Sequence, residues 1–376
     1  LAARRAVAGP RGRWCSAGHR RTGGAGHGTC RGTCAGGSAG PGPTERRFAM
    51  SRVVSAGVSY FGKVPSRGDF VRAADNHQLL GWLDRWAGES VELLSQNPDW
   101  KRVYDDSPEI HYAFLGSRSK LVLCGHFLPS RDASQRRFPL LSAVRLEATE
   151  PLPFIGRSPL AMSNAWSGLS RMARQAFNDE DAGNALNELA DARFSISTDP
   201  SAYNATFRDF LEGQTIGSME RLLRDAGHPD ISLKNALLAL GLLLQPVLGG
   251  GDVNVDRALV FPLVRDPLYR PLVAAFWLDI VACFVARGDF ELAVLIRNDA
   301  APSMLVGFNG ADRHALRAVL DPAEAGDFLI RLQEAQWVEE YLHSDYNLNR
   351  LASYLDRDDL ALSTARSLFG ETFLGT

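Results

Sequence analysis

Gly57, Gly62 and Lys63 stand in the order Gly-x4-Gly-Lys, the spacing of a loop that cradles phosphates. Such a loop needs a hydroxyl after its Lys to hold Mg²⁺, and small residues whose N–H groups can wrap the phosphates. Here Val64 follows the Lys, Tyr60 and Phe61 fill the middle, and Pro65 disfavours helical geometry at Val64. The nucleotide reading is weak. Metal chemistry fares no better. Cys30 and Cys34 lie near His27, but no second pair of ligands follows. Among His77, His111, His126, His228, His314 and His343 there is no H-E-x-x-H pair, and His343-Ser344-Asp345 has no metal-ligand spacing. His111 and His126 are expected to face one another across a hairpin, where such a pair serves packing. The chain has no G-x-S-x-G elbow, although a Ser/His/Asp triad assembles in space and stays open at this stage. Gly249-Gly250-Gly251-Asp252 lacks the lysine and spacing of a phosphate loop. No cofactor and no metal are expected.

Composition sets the class. Of 376 residues, 45% are hydrophobic and 22% charged, which is ordinary for a soluble globular protein with room for two cores. The net charge of -2 hides an asymmetry. Residues 1–49 hold nine Arg, no Lys and a single acid, Glu45, while the remainder nets -10. An acidic body argues against nucleic acid, whose usual footprint is a basic patch. No apolar run reaches the roughly 18 residues of a spanning helix, so no direct membrane insertion is expected. Cys124 and Cys283 each sit in an apolar run and read as inert core residues of a reducing compartment. A cytoplasmic location is expected.

Twelve Gly and nine Arg in residues 1–49, without a periodic apolar face, cannot offset the entropy of ordering. The first Met is Met50, and Glu45-Arg46-Arg47 precedes it, a sequence that a purine-rich ribosome-binding stretch can encode. Residues 1–49 are therefore expected to be disordered, translated upstream sequence, with synthesis starting at Met50. Beyond them the pattern gives a strand through 58–64, a helix over 76–94, a hairpin of 112–115 with 121–127, and a strand ending at Leu146. Segment 158–187 is helical with a break at 178–183, and 199–211 forms another helix opened by Pro200. Past residue 216, helices are expected at 219–226, 232–248, 268–285, 311–320, 325–342 and 349–369, the last broken near 356–359. Strands are expected at 258–261, 291–297 and 304–308. The whole reads as α/β: a layered α/β/α sandwich with a mixed sheet over 50–215, plus a C-terminal α/β region over 216–376, rich in helices.

Two stretches carry a resemblance. Tyr60-Phe61-Gly62-Lys63-Val64-Pro65-Ser66-Arg67-Gly68-Asp69-Phe70-Val71 resembles the N-terminal signature of the TagF (ImpM) family, accessory proteins of bacterial type VI secretion. A second signature, Met/Leu-Pro-Ser-x-Asp followed by Gly-Arg-x-Phe-Pro-Leu, is similar to Leu128-Pro129-Ser130-Arg131-Asp132 and Arg137-Phe138-Pro139-Leu140. This chain carries Gln135-Arg136 where the family has its Gly before the Arg. The resemblance covers residues 55–150 most closely. It implies a non-enzymatic regulator, a post-translational repressor that binds a forkhead-associated scaffold protein. The alternative is an enzyme, a hydrolase or phosphatase-associated protein with a non-obvious active site.

Both signatures are Pro-Ser loops at strand ends, expected to lie side by side, and loops on a rigid sheet are where recognition concentrates. Lys63, Ser66, Arg67, Asp69, Ser130, Asp132 and Arg137 are the expected interaction surface. Gly62, Pro65, Gly68, Pro129 and Pro139 are the expected turn residues. Taken singly, Asp69 and Asp132 read as turn carboxylates bonded to backbone N–H groups, with Arg137 paired to one of them. Taken together they read as a docking patch, in which Arg67→Glu and Asp132→Lys weaken binding without lowering Tm.

Overall fold

Along β1 (Val53–Gly62), Ala56, Val58 and Tyr60 alternate into one apolar layer, as the period of a strand requires. The computed structural model describes residues 53–74, 77–249, 255–342 and 345–375. The expectations for residues 1–49, the start at Met50, Gly250 to Asp252 and His343 lie outside the described residues. β2 (Val71–Ala73) returns antiparallel on β1 and sets Phe61 opposite Arg72. α1 (His77–Leu94) turns Leu79, Leu83, Trp86, Ala87 and Leu94 to one face, and the short α2 (Trp100–Asp105) follows. β3 (Ile110–Gly116) and β4 (Leu121–Leu128) form the expected hairpin, in a register that opposes His111 to His126. β5 (Leu140–Glu147) lies between β4 and β1. α3 (Pro151–Ile155), α4 (Ser158–Asn178) and α5 (Gly183–Asp191) come next, and the break between the last two falls where expected. β6 (Arg193–Ser197) pairs with the first half of β1.

The remaining elements are α6 (Asn204–Gly213), α7 (Ile216–Asp225), α8 (Leu233–Leu248), β7 (Ala258–Pro262), α9 (Arg270–Val285), β8 (Glu291–Arg297) and β9 (Ser303–Gly307). They end with α10 (Arg313–Leu320), β10 (Leu329–Arg331), α11 (Glu339–Leu342), α12 (Tyr346–Leu355) and α13 (Leu362–Phe373). Thr215, Ser232, Asp312 and Asp345 open α7, α8, α10 and α12, each accepting a backbone N–H of the first turn. One expectation fails. Segment 325–342 is not one helix: 3₁₀ turns flank β10, whose Leu329, Ile330 and Arg331 pair parallel with Ala258, Leu259 and Val260. A partner strand some 70 residues away overrides the local helical pattern.

Ten strands of the described residues form one mixed sheet in the order β10-β7-β9-β8-β3-β4-β5-β1-β2, with β6 also on β1. Only β10 with β7 is parallel among these pairs. β3 and β8 pair over seven residues, so a continuous sheet joins 216–376 to 50–215. Helices cover both faces. Tyr112, Phe114 and Leu295 pack with α1 and α10 on one side, while Ala113, Leu115 and Val294 pack with α4 and α9 on the other. This is the layered α/β/α arrangement. α9 is buried on nearly all sides, and each large apolar side chain so buried contributes about 1.5–3 kcal/mol. Among the described residues no helix is long and apolar enough to cross a membrane.

Candidate functional site

Between β1 and β2, Arg67 N–H donates to the Val64 carbonyl at 3.1 Å and closes a β-turn with Pro65 at its second position, where a fixed φ fits. Gly57 lies inside β1, paired with Arg193, and Gly62 ends the strand. The Gly-x4-Gly-Lys spacing is thus strand ladder, not a phosphate loop. Gly62 needs to be glycine for a different reason. Its φ is 149°, and an added Cβ would sit 2.0 Å from the Pro139 carbonyl oxygen. Gly68 has open space around it and no positive φ, so its turn does not require glycine.

The second loop joins β4 to β5 as a small hairpin. Phe138 N–H donates to Ser130 C=O at 3.1 Å, and Asp132 N–H donates to Arg136 C=O at 3.1 Å. Gln135 N–H closes the turn on Asp132 C=O at 2.9 Å, and Gln135 itself adopts φ 63°. A turn followed by one left-handed residue is a common hairpin closure, and it favours glycine at that residue. Gln135 therefore occupies the position where the second signature has its Gly.

The two loops are zipped together. Ser130 Oγ donates to Lys63 C=O at 2.7 Å, and Ala133 N–H donates to Arg67 C=O at 2.8 Å. The Tyr104 hydroxyl, buried with α2, bonds both the N–H and the C=O of Ser130. At the centre Lys63 Nζ lies 2.9 Å from Asp132 Oδ2, with the two residues 6% and 0% exposed. Arg136 Nε bonds the same oxygen at 2.7 Å, while Oδ1 accepts the N–H groups of Ser134 and Arg136, both at 2.9 Å. Burial works against the Asp132 charge, but the Lys63 ammonium and the Arg136 backbone and guanidinium donors outweigh it and hold the carboxyl well below its usual range.

The expected patch divides accordingly. Lys63, Ser130 and Asp132 are interior and fix loop shape, and Pro139 is buried beside Gly62. Arg67 and Asp69 are exposed. Arg67 pairs with Asp181 at 2.7 Å, while Asp69 accepts the N–H of Phe70. Ser66 accepts the N–H of Ala182 at 3.2 Å, and Pro129 is partly buried. Arg137 turns away from Asp69 and Asp132 and makes a bidentate pair with Asp105 at 2.5 and 2.8 Å, over the ring of Trp100. The guanidinium on Asp132 is Arg136. Adjacent residues in a hairpin point to opposite faces, so one position decides the partner. Burial also corrects the expectation for Asp132→Lys: a second ammonium beside Lys63, with no solvent to screen it, should lower Tm.

Residues 59–192 match the family described as TagF N-terminal domain, Type VI secretion system-associated. This segment is similar to TagF N-terminal domains. Both loops lie inside it. A comparison with curated proteins gives no match. Among solved structures, the protein PA0076 of Pseudomonas aeruginosa PAO1 is 20% identical, with a TM-score of 0.30. That likeness covers 37% of this chain and 64% of PA0076, just under two thirds of its length.

Within this segment, Gln135→Gly should relieve left-handed strain of about 1–2 kcal/mol. Part of that is offset by the freer unfolded chain, leaving a net gain of roughly 0.5–1 kcal/mol in urea titration. An unchanged or lowered midpoint would show that the Gln135 side chain makes up for its backbone.

Cys124 and Cys283 are free, and burial pushes both thiols up, away from the thiolate a nucleophile requires. Among the described residues no group of three or more His, Cys, Asp or Glu is placed to hold a metal.

Proposed function

We propose that this protein is a non-enzymatic regulator of type VI secretion, acting in the cytoplasm as a post-translational repressor that binds a forkhead-associated scaffold protein of the system. The observation that carries the reading is the pair of signature loops, locked by the interior Lys63–Asp132 contact and presenting Arg67 and Asp69 to solvent. A loop held this rigidly enters a complex with little ordering cost, which favours recognition over reaction. The match to a type VI secretion-associated domain supports the system in which the partner is sought. Nucleic acid has no part in this reading.

Calorimetric titration of the full chain with the scaffold protein is the test, and saturable one-to-one binding is expected. Arg67→Glu should weaken it at least fivefold with Tm unchanged, since an exposed pair such as Arg67–Asp181 contributes only about 0–1 kcal/mol to stability. Absence of any binding by the unmodified chain would overturn the proposal.

A further inference from the structure

Beside the cations of the two loops lies an apolar feature built from aromatic residues of both signatures. Phe70 is 42% exposed, among the few large hydrophobic side chains left open to solvent. Its ring stacks on Phe61 with centroids 5.0 Å apart and planes 7° apart, and meets Phe138 edge-on at 5.0 Å. Phe61 and Phe138 are themselves only partly buried, and they meet edge-on at 5.7 Å. The Lys63 ammonium lies 4.9 Å from the Phe70 ring. Three segments thus bring one aromatic each to a single pad, at the β2 end of the sheet. The edge of β2 away from β1 pairs with no other strand of the described residues.

The rim is cationic. Arg72 is the register partner of Phe61, and so lies on the same face of the sheet as the pad. It is exposed, and among the described residues it is in no ion pair. Arg136 reaches across to the Gly68 carbonyl at 2.8 Å and shares Asp132 with Lys63, so two cations there face one acid. Asp69 and Asp181 are the nearby exposed acids, and Asp181 is taken by Arg67. This excess of positive charge sits on a body that nets -10 from residue 50 onward. An aromatic centre ringed by cations is the anatomy of an interface core and rim.

We infer that the Phe61–Phe70–Phe138 pad and its Arg72–Arg136 rim receive an acidic segment of the partner protein, anchored by an apolar side chain on Phe70. The inference rests on the proposed scaffold binding and deepens it by naming the chemistry of the segment that docks. Aromatic anchors carry most of the affinity of such a contact, whereas rim charges set its salt dependence.

The scaffold protein is the probe, titrated into the full chain at about 50 and 300 mM salt, a range over which screening strengthens markedly. Phe70→Ala should weaken binding tenfold or more at both salts, and Phe70→Tyr should restore most of it. Arg72→Glu should weaken binding more at low salt and flatten the salt dependence, while Arg72→Lys should keep both. Melting curves establish that each variant is folded, as expected for exposed positions. If the scaffold binds and all these variants bind alike, this inference falls and the functional reading stands. If the unmodified chain does not bind, both fall together.

Discussion

Lys63→Met is expected to destabilise the protein by about 3 kcal/mol, read as a lowered urea midpoint with an unchanged slope. The Lys63 ammonium and the Asp132 carboxylate are both withdrawn from water and lie 2.9 Å apart. Removing one partner of such a pair leaves the other as an uncompensated buried charge, and that residual charge sets the cost more than the lost attraction does. Arg136 and two backbone N–H groups remain on Asp132, which places the effect near the lower end of the range for a broken buried pair. The Asp132 carboxyl is held low in the folded state, so the stability it contributes is full above the unfolded carboxylate range near 4. It is lost as pH falls through the lower folded value. Lys63→Met should therefore also flatten the acid limb of the stability curve. A midpoint equal to that of the unmodified protein would mean that Arg136 and the two backbone N–H groups satisfy Asp132 without Lys63. ATP or GTP should not shift Tm in either protein, since the Lys63 ammonium is engaged by Asp132 and the glycines before it belong to a strand.

What could be read from the chain follows from how local each signal is. The β3–β4 hairpin was legible because two apolar, β-branched or aromatic runs flank Gly116-Ser117-Arg118-Ser119, and its register places His111 against His126. The break between α4 and α5 was legible because Asn178 to Gly183 is polar and ends in glycine. β10 was not, because Leu329, Ile330 and Arg331 become a strand only on meeting β7. β2 is too short for any periodicity, and the pairing of β3 with β8 spans about 180 residues with no local trace. At the site, the adjacency of the two loops followed from their matching Pro-Ser character. Their inversion did not. A lysine and an aspartate are almost never fully buried unless paired, and the pairing is visible only once Lys63 and Asp132 meet across 69 positions. Phe70 was in plain view within the first signature, yet its exposure depends on Phe61 and Phe138 filling the space beneath it.

Between pH 6.5 and 4.5 the protein should lose stability, and replacing His111 and His126 together by Gln should remove a large part of that loss. The two rings face one another with Nδ1 atoms 3.1 Å apart, so one must donate and the other accept, which permits at most one proton between them. A doubly protonated pair would point two N–H groups at each other. His126 has no exposed surface, and its Nε2 lies 3.3 Å from the Glu109 carboxylate without meeting hydrogen-bond geometry. Trp166 stacks on His111 from α4, at 5.6 Å and 14°. The charged neighbours are Glu109, which favours protonation, and Arg174 on α4 and Arg270 at the start of α9, which oppose it. Burial dominates and pulls both imidazoles below their ordinary value, His111 farthest, with the charge of His126 next in weight. The unfolded chain therefore binds protons that the folded one refuses. Stability is full above the unfolded value near 6.5 and falls below it by about 1.4 kcal/mol per pH unit for each histidine held neutral. Glu109 titrates in a separate window. Burial opposes its charge, but His126, Arg174 and Ser170 outweigh that and hold it at about 2, so its contribution is lost only from near pH 4 downward. Burial lowers His228 too, which makes the difference between the two proteins, rather than the unmodified curve alone, the quantity that reports on the pair. Urea titrations at pH 7.5, 6.5, 5.5 and 4.5 supply it. Parallel curves for the unmodified and doubly substituted proteins across that window would mean that the pair accepts its second proton inside the fold, with Glu109 swinging in to share it.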